Sequence, residues 1–543
     1  MVFARRSTTL LAAIIASCAM VLSLTACTSD NKTVVDGQTT VTSNSAGGVA
    51  VFTPSDGITL NQQVPLNKWA KLVPDLTKAL VDAGFKKGDI NHTTSDSLDK
   101  QSRAIQDFVV DHLSNNTTDD SGIAIAPDNM TLLVAPVVEA DASTRQYGDY
   151  VSQNLSTNDV TDEGATSDGE SSEDDSSKDD SSNTESDSTA SDEQAQAVDR
   201  LVSSLKLAKE SGMHVVLLGN SIEGYKPDAF VKFSDAQTIG KLQAEKMVSK
   251  LKLDKASKAN PKYIEVLLPY TAVDEKGNAN DSTFAQEAFR GIWQVLGSYY
   301  QKGVVESPSG TLDGKSTEND WQAVAYDAAK EGSTAKVLDK RLAKTDGQST
   351  LTRIDGIITM NDYIASEVVK ELDDLGYTGS AADINPQITI SGIVGNITGK
   401  KDLSRDAVPD PIKSPENDNA NDSSSSDDDA DEDTSASDKD RDSQWPLVTG
   451  YGAYVSNIPS IVNGKQWMTG MEDRQTIATD IAQACAKLNK DEALNSMPSI
   501  RNSEVGGVKK IPTISEPLLA VSASNLKSAL IDPGYISLAD AGL

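Results

Sequence analysis

The chain has 543 residues, a hydrophobic content of 38% and a formal net charge of −32. That length suits two or three units of about 100–200 residues each, and the apolar content supplies sizeable cores, so a wholly unfolded chain is excluded. The acid excess sits mainly in two tracts, 14 acidic residues over 159–193 against Lys178 and 12 over 416–442 against Lys439 and Arg441; no basic cluster is available to neutralise phosphates, so no nucleic-acid partner is expected.

The chain opens with Arg5 and Arg6 before an apolar run from Leu10 to Leu24. This is a charged n-region followed by an h-region too short for a stable membrane span. The run ends in Leu24-Thr-Ala-Cys27, which resembles the bacterial lipobox; residues 1–27 are then the leader, and Cys27 the lipidated residue. Residues 28–47 are poor in large apolar side chains and are expected to form a flexible tether. These features place the body at the extracellular face of the cell membrane.

From residue 48 the pattern alternates. Gly48–Thr53 is a short apolar run, expected as a strand. Leu66, Trp69, Leu72, Val73, Leu76 and Leu80 recur at helical spacing, with Pro74 inside and Gly84 as a stop. Ile105, Phe108, Val109 and Leu113 make a second helical stripe. Ile123–Ala126 is expected as a strand, Leu201, Leu205 and Ala208 as a helix face, and Val215–Leu218 as a strand. The alternation continues with a helix on Ile239, Leu242, Met247 and Leu251, a strand over 263–268, and a helix on Phe284, Ala288, Ile292 and Leu296. A strand over 354–359, a helix on Ile364, Val368, Leu372 and Leu375, and a strand over 388–390 complete it. Continuous apolar strands alternating with amphipathic helices predict parallel sheets covered on both faces. The Ser/Asp/Glu-rich tracts, about 156–197 and 414–443, interrupt this pattern and are expected as disordered surface insertions.

In open α/β sheets, ligands bind beyond the carboxyl ends of the strands. Those ends read Thr53-Pro-Ser-Asp56, Ala126-Pro-Asp-Asn129, Gly219-Asn-Ser221, Pro269-Tyr-Thr271, Asn361-Asp362 and Ser391-Gly392. Amides, carboxylates and hydroxyls suit a polyhydroxylated ligand, and an aromatic face covers its C–H side. The same residue types are also favoured helix N-caps, and at any one position a cap explains them as well.

The order of segments resembles the periplasmic-binding-protein type I family, in particular its xylose-binding and multiple-sugar-binding members. The resemblance rests on Phe233-Ser-Asp235 followed by Gly240-Lys-Leu-Gln-Ala244, on Arg353-Ile-Asp-Gly-Ile-Ile-Thr-Met-Asn-Asp362, and on Ile388-Thr-Ile-Ser-Gly392. It extends to the tail through Ile511-Pro-Thr-Ile-Ser-Glu-Pro517, Asn525 and Asp532–Ser537. It implies an α/β fold of two doubly wound parallel-sheet lobes joined by a three-segment hinge. The first lobe would be 48–222 plus 472–497, the second 223–471 plus 498–543. It also implies a sugar held between the lobes, an ABC permease as partner, and a monomer. Asn361, Trp69 and Asp128 fall on family contact positions. The family departs from this chain at three charged contacts: Gly219-Asn220 replaces an Asp-Arg pair, Ile393-Val394 a Gln-Asp pair, and Glu472 the Lys near the third crossing.

The candidate ligand-binding residues are therefore Asp56, Trp69, Asp128, Asn220, Asp235, Asn361 and Glu472, with Trp69 stacking and the others hydrogen-bonding. The three His residues, His92, His112 and His214, have no metal-type spacing. Gly395–Lys401 is one residue short of a phosphate loop and reads as a turn. Asp274–Asp281 lacks the calcium-loop spacing, no G-x-S-x-G elbow is present, and Cys485 reads as a buried helix thiol. No catalytic residue, cofactor or metal is expected. The reading is a solute-binding lipoprotein serving an ABC importer. The changed charged contacts leave open a surface sensor or interaction protein of the same fold with altered or lost ligand binding.

Overall fold

The structure, a computed structural model, describes residues 46–56, 65–115, 125–138, 144–151, 153–156, 185–271, 282–328, 330–343, 351–381 and 444–543. The leader with Cys27, nearly all of the tether, 157–184 of the first acidic tract, all of the second, the 274–281 loop, and the 388–394 and 395–401 segments lie outside those residues. Residues 45–543 form one compact unit. Among the described residues no helix is long and apolar enough to cross a membrane.

Within this unit the principal strands are β1 (Gly48–Pro54), β2 (Ile90–Ser95), β3 (Met130–Val134), β4 (His214–Leu218), β5 (Ala229–Lys232), β6 (Lys262–Val266), β7 (Val305–Glu306), β8 (Gly356–Ile358), β9 (Leu447–Thr449), β10 (Met468–Met471), β11 (Ile500–Val505), β12 (Val508–Ser515) and β13 (Leu519–Ser522). The principal helices are α1 (Trp69–Asp82), α2 (Leu98–Asn115), α3 (Glu185–Glu210), α4 (Ala236–Leu251), α5 (Thr283–Gln301), α6 (Ser333–Arg341), α7 (Asp362–Leu375) and α8 (Arg474–Leu488).

Two sheets organise the unit. The first runs β11-β12-β5-β4-β3-β1-β2 and is parallel except for the β11–β12 hairpin; the second runs β7-β6-β8-β9 and is parallel throughout. Each is covered on both faces. Trp69, Leu72, Leu76 and Leu80 of α1 join Ile477, Ile481 and Cys485 of α8 on one face of the first sheet. Ile105 and Val109 of α2 join Leu201 and Leu205 of α3 on the other. Ile239 and Met247 of α4 with Phe289 and Ile292 of α5 cover the second sheet on one side, and Ile364, Val368 and Leu372 of α7 on the other. These stripes are the ones the sequence periodicity predicts, and the doubly wound architecture follows from them. Helix α1 runs unbroken through Pro74, and α7 ends on Gly376 at φ +93°, the left-handed stop that glycine adopts without a Cβ penalty.

Four expectations need correction. The third strand is Met130–Val134, wholly buried, whereas the described part of the Ile123–Ala126 run, Ile125 and Ala126, lies outside any strand and leads into Pro127. The polar β2 and the short β5 carried no recognisable apolar run. Residues 185–197, assigned to a disordered insertion, belong to α3, where an Ala- and Gln-rich stretch extends the helix nucleated on the Leu201–Leu205 stripe. The lobe boundaries also move: 229–232 and 500–515, expected in the second lobe, are strands of the first sheet. The chain therefore crosses between the halves at 233–235, 472–473 and 516–518.

The close approach of α4 and α5 fixes the entry to the second half. A Cβ on Gly240 would lie 2.2 Å from the Ala288 carbonyl oxygen, and one on Gly291 would lie 2.0 Å from that of Gln237, so the two backbones touch. Gly291→Ala is expected to destabilise the fold by about 3 kcal/mol through overpacking. Urea denaturation reads this as a lower midpoint; an unchanged midpoint would contradict the contact.

Candidate functional site

The carboxyl ends of the two sheets meet along one seam. Ser234, just past β5, and Tyr451, just past β9, share a hydroxyl–hydroxyl hydrogen bond of 2.5 Å. Glu472, in the second crossing, accepts from the Ser234 backbone N–H at 2.5 Å, and its own N–H donates to Asn67 Oδ1 at 3.3 Å. The first two crossings and the end of the second sheet are thus tied at one point.

Trp69 opens α1 beneath the end of β4. Its ring lies edge-on to Tyr150 (5.1 Å between centroids) and to Phe233 (5.7 Å), while Tyr150 stacks on Phe233 at 4.8 Å. Gly219 borders this cluster at φ +72°, a left-handed conformation that glycine adopts without strain, and a Cβ there would rest in ordinary contact with Trp69 and Phe233 at 3.6 Å. The charged pair expected from the family gives way here to an aromatic floor. Asn220, one residue on, is buried; its Nδ2 donates to the Pro136 carbonyl at 2.9 Å and its Oδ1 accepts from Gln153 N–H at 3.0 Å.

Two sequence-predicted residues at the seam act as helix caps. Asp235 accepts from Thr238 N–H and begins α4 in a capping box. Asn361 Oδ1 accepts from Ile364 N–H at 2.9 Å and begins α7, which leaves its Nδ2 facing the seam. The cap is intrinsic to both positions. Asp56 is exposed and accepts from Ala70 N–H at 3.1 Å, beside the half-buried Asp149. Asp128 is not brought to the site. Because the strand follows it, Asp128 sits at the amino end of β3, exposed, and its carbonyl accepts from His214 at the start of β4.

The seam is not the open cleft that the sequence suggested. The segment Thr144–Val151 enters it from the first half. Asp149 accepts from Lys68 Nζ at 2.7 Å and from Trp69 N–H at 3.0 Å, so a carboxylate from this segment pairs the first N–H of α1, next to Asp56 on the second. Gln146 Oε1 accepts from Asn361 Nδ2 at 3.0 Å, and its carbonyl accepts from the Tyr454 hydroxyl at 2.7 Å. Tyr147, 1% exposed, packs its ring 4.7 Å from Phe284 and 6.3 Å from Tyr451. The functional residues missed from sequence are Gln146, Tyr147, Asp149 and Tyr150, together with Asn67, Ser234, Tyr451 and Tyr454. The one available signal was Tyr147-Gly-Asp-Tyr150, two aromatics around a glycine in an otherwise polar stretch.

Three carboxyl groups in or beside the seam are displaced upward. Burial pushes Glu472 up to about 7 against its hydrogen bonds from Ser234. Burial, then the neighbouring Asp56, raises Asp149 to about 6 against the pull of Lys68. Burial raises Asp362 to about 6 despite bonds from Tyr454 N–H (2.9 Å), Gln466 Nε2 (2.7 Å) and Thr469 Oγ1 (2.8 Å). A protonated Glu472 adds a hydroxyl donor to a seam otherwise rich in amides and phenols.

No protein-family model matches the chain, and no curated protein matches it. Solved structures do. An ABC transporter solute-binding protein from Clostridium phytofermentans with bound β-D-glucose is similar at 17% identity over 91% of this chain and 99% of that one, with a TM-score of 0.44. A carbohydrate transporter solute-binding protein from Chloroflexus aurantiacus in complex with D-glucose is similar at 17% identity over 92% and 98%, with a TM-score of 0.43. A periplasmic ribose ABC transporter protein from Conexibacter woesei is similar at 13% identity over 90% and 96%, with a TM-score of 0.42.

Glu472 makes the site measurable by pH. Its folded-state value lies above the ordinary 4.5, so the folded chain holds a proton that the unfolded chain has released. The stability it contributes is fully present below about 4.5 and is lost as pH rises through about 7. Glu472→Gln, which keeps an acceptor for Ser234, is expected to flatten the fall in melting temperature between pH 6 and 7.5. A fall as steep as in the unaltered chain would show that Glu472 does not titrate there.

Proposed function

We propose that the chain is an extracytoplasmic binding protein that captures a small, neutral, polyhydroxylated ligand, a carbohydrate, in the seam between its two halves and presents it to an ABC importer. The observation that carries this reading is the composition of the seam. The rings of Trp69, Tyr150 and Phe233 lie beside the buried amide and carboxyl groups of Asn220, Asn361 and Glu472, with Asp56 and Asp235 at the margin. Ring faces cover the C–H side of a sugar, while amides and carboxyl groups meet its hydroxyls in donor–acceptor pairs. The three crossings supply a hinge, and a ligand favours closure only through contacts it makes better in the closed form.

The leader completes the reading. Lipidation of Cys27 would hold the body at the outer face of the membrane on its tether, one lipid-anchored monomer beside a permease. The function is capture without turnover.

A second reading is favoured by one observation: Gln146–Tyr150 fills the seam and satisfies several of its polar groups. A chain so occupied could serve as a surface sensor or interaction lipoprotein with no free sugar of its own.

Calorimetry of the purified chain against D-glucose, D-xylose, L-arabinose and malto-oligosaccharides separates the two. The first reading expects saturable binding of at least one of them, weakened about 10-fold or more, roughly 1.4 kcal/mol, in Trp69→Leu. Silence across the panel from both the unaltered chain and variants with the 144–151 segment unseated would favour the second. Metabolic labelling with a radioactive fatty acid tests the anchor: label is expected on the unaltered chain and absent from Cys27→Ala.

A further inference from the structure

The segment Thr144–Val151 is attached to the two halves by different means. Its root belongs to the first half. Asp149 N–H donates to the Asn67 carbonyl at 2.8 Å, the Asp149 carboxylate holds Lys68 and the first N–H of α1, and the Tyr150 hydroxyl donates to the Lys68 carbonyl at 2.5 Å. Further on, Gln153 is held by Asn220. Its tip belongs to the second half: Gln146 is bonded by Asn361 and Tyr454, and the Tyr147 ring sits among Phe284 and Tyr451. Between root and tip lies Gly148, at φ +98°, where a Cβ would fall 2.5 Å from the Asn67 carbonyl oxygen. Only glycine fits this pivot without displacing the strap.

We propose that this strap is an intramolecular latch that holds the seam shut and must withdraw its tip before a ligand can enter. The root stays fixed on α1 while the tip bridges to the ends of β8 and β9, so separating the halves requires breaking the tip contacts together with the Ser234–Tyr451 and Leu66–Gly452 hydrogen bonds. The seated tip is also imperfectly satisfied. Among the described residues the buried Tyr147 hydroxyl, beside Asn361, and the buried Asn67 Nδ2, beside Tyr451, each lack a hydrogen bond of proper geometry. Buried polar groups left unpaired disfavour the state that buries them, which keeps the latch displaceable by an occupant that pairs them. A ligand then binds with an apparent affinity reduced by the fraction of molecules already unlatched. That last consequence rests on the binding reading; the latch itself does not.

Hydrogen exchange of the full-length chain tests the latch without any ligand. Tyr147→Ser and Gln146→Ala remove the tip contacts, Gly148→Ala displaces the pivot, and circular dichroism selects the variants that fold. In the unaltered chain, peptides covering 144–151 and 451–454 are expected to be protected. In the variants, exchange there is expected to rise about 10-fold or more, while His214–Leu218 in the first sheet is unchanged. Exchange of 144–151 in the unaltered chain at the rate of an unstructured peptide overturns the proposal, as does unaltered exchange at 451–454 in every folded variant. Titration with D-glucose and D-xylose then adds a second arm. Variants that bind about 10-fold tighter than the unaltered chain support the latch, and equal affinities overturn it. No binding by any form, with exchange at 451–454 raised, supports the latch and removes the sugar-binding reading instead.

Discussion

Two parallel sheets placed carboxyl edge to carboxyl edge create a line of buried polar groups, and each of those groups requires a partner. That requirement governs the molecule. The ends of β5 and β9 meet through Ser234 and Tyr451, Glu472 binds the first crossing from the second, and Asn361 is half consumed as the cap of α7. What remains unsatisfied is met by Gln146 and Asp149 from a strap that the chain threads back into the seam. The strap is a consequence of the fold: without it, or a ligand in its place, Asn361 Nδ2 and the Trp69 N–H would lose their partners.

The character of the seam follows from small backbone facts. Gly219 turns the chain at φ +72° past the end of β4, where Trp69 and Phe233 meet edge to face. Burial raises Glu472 to about 7, so it holds its proton below neutral pH. Asp56, the Lys68–Asp149 pair and the Lys232–Asp235 pair stand at the margin, while the interior presents amides, phenols and ring faces together with the buried carboxyl groups of Glu472 and Asp362. Such a surface is compatible with the proposed neutral, hydroxyl-bearing ligand.

Much of the fold was legible in the residues. The stripe on Leu72, Leu76 and Leu80, the strand at Val215–Leu218 and the Gly376 stop each follow from one period or one dihedral, and each stands where the pattern puts it. The third strand was misplaced because two apolar runs lie within a few residues, and burial on the sheet, which only tertiary packing decides, selected Met130–Val134. That shift carried Asp128 to the wrong edge of the sheet. β2 was invisible because an exposed edge strand needs no apolar face. The site was legible only in part. Trp69, Asn220, Asn361 and Glu472 stand at the seam, yet the strap that meets them comes from a polar stretch with no period. Its role is set by contacts more than 200 residues away in the chain, such as Gln146 with Asn361. Asp235 and Asn361 show the recurrent ambiguity of strand ends, where the residue that could bind a hydroxyl is also the one that starts the next helix.

Crystals of the Tyr147→Ser chain grown with D-glucose or D-xylose would test the central claim most directly, because the claim concerns one location. A sugar ring lying over the Trp69–Phe233 floor, with its hydroxyls within hydrogen-bond reach of Asn361 and Glu472 and the strap tip withdrawn, is the expected density. A seam still occupied by Gln146 and its neighbours, with sugar bound elsewhere or nowhere, would contradict the account.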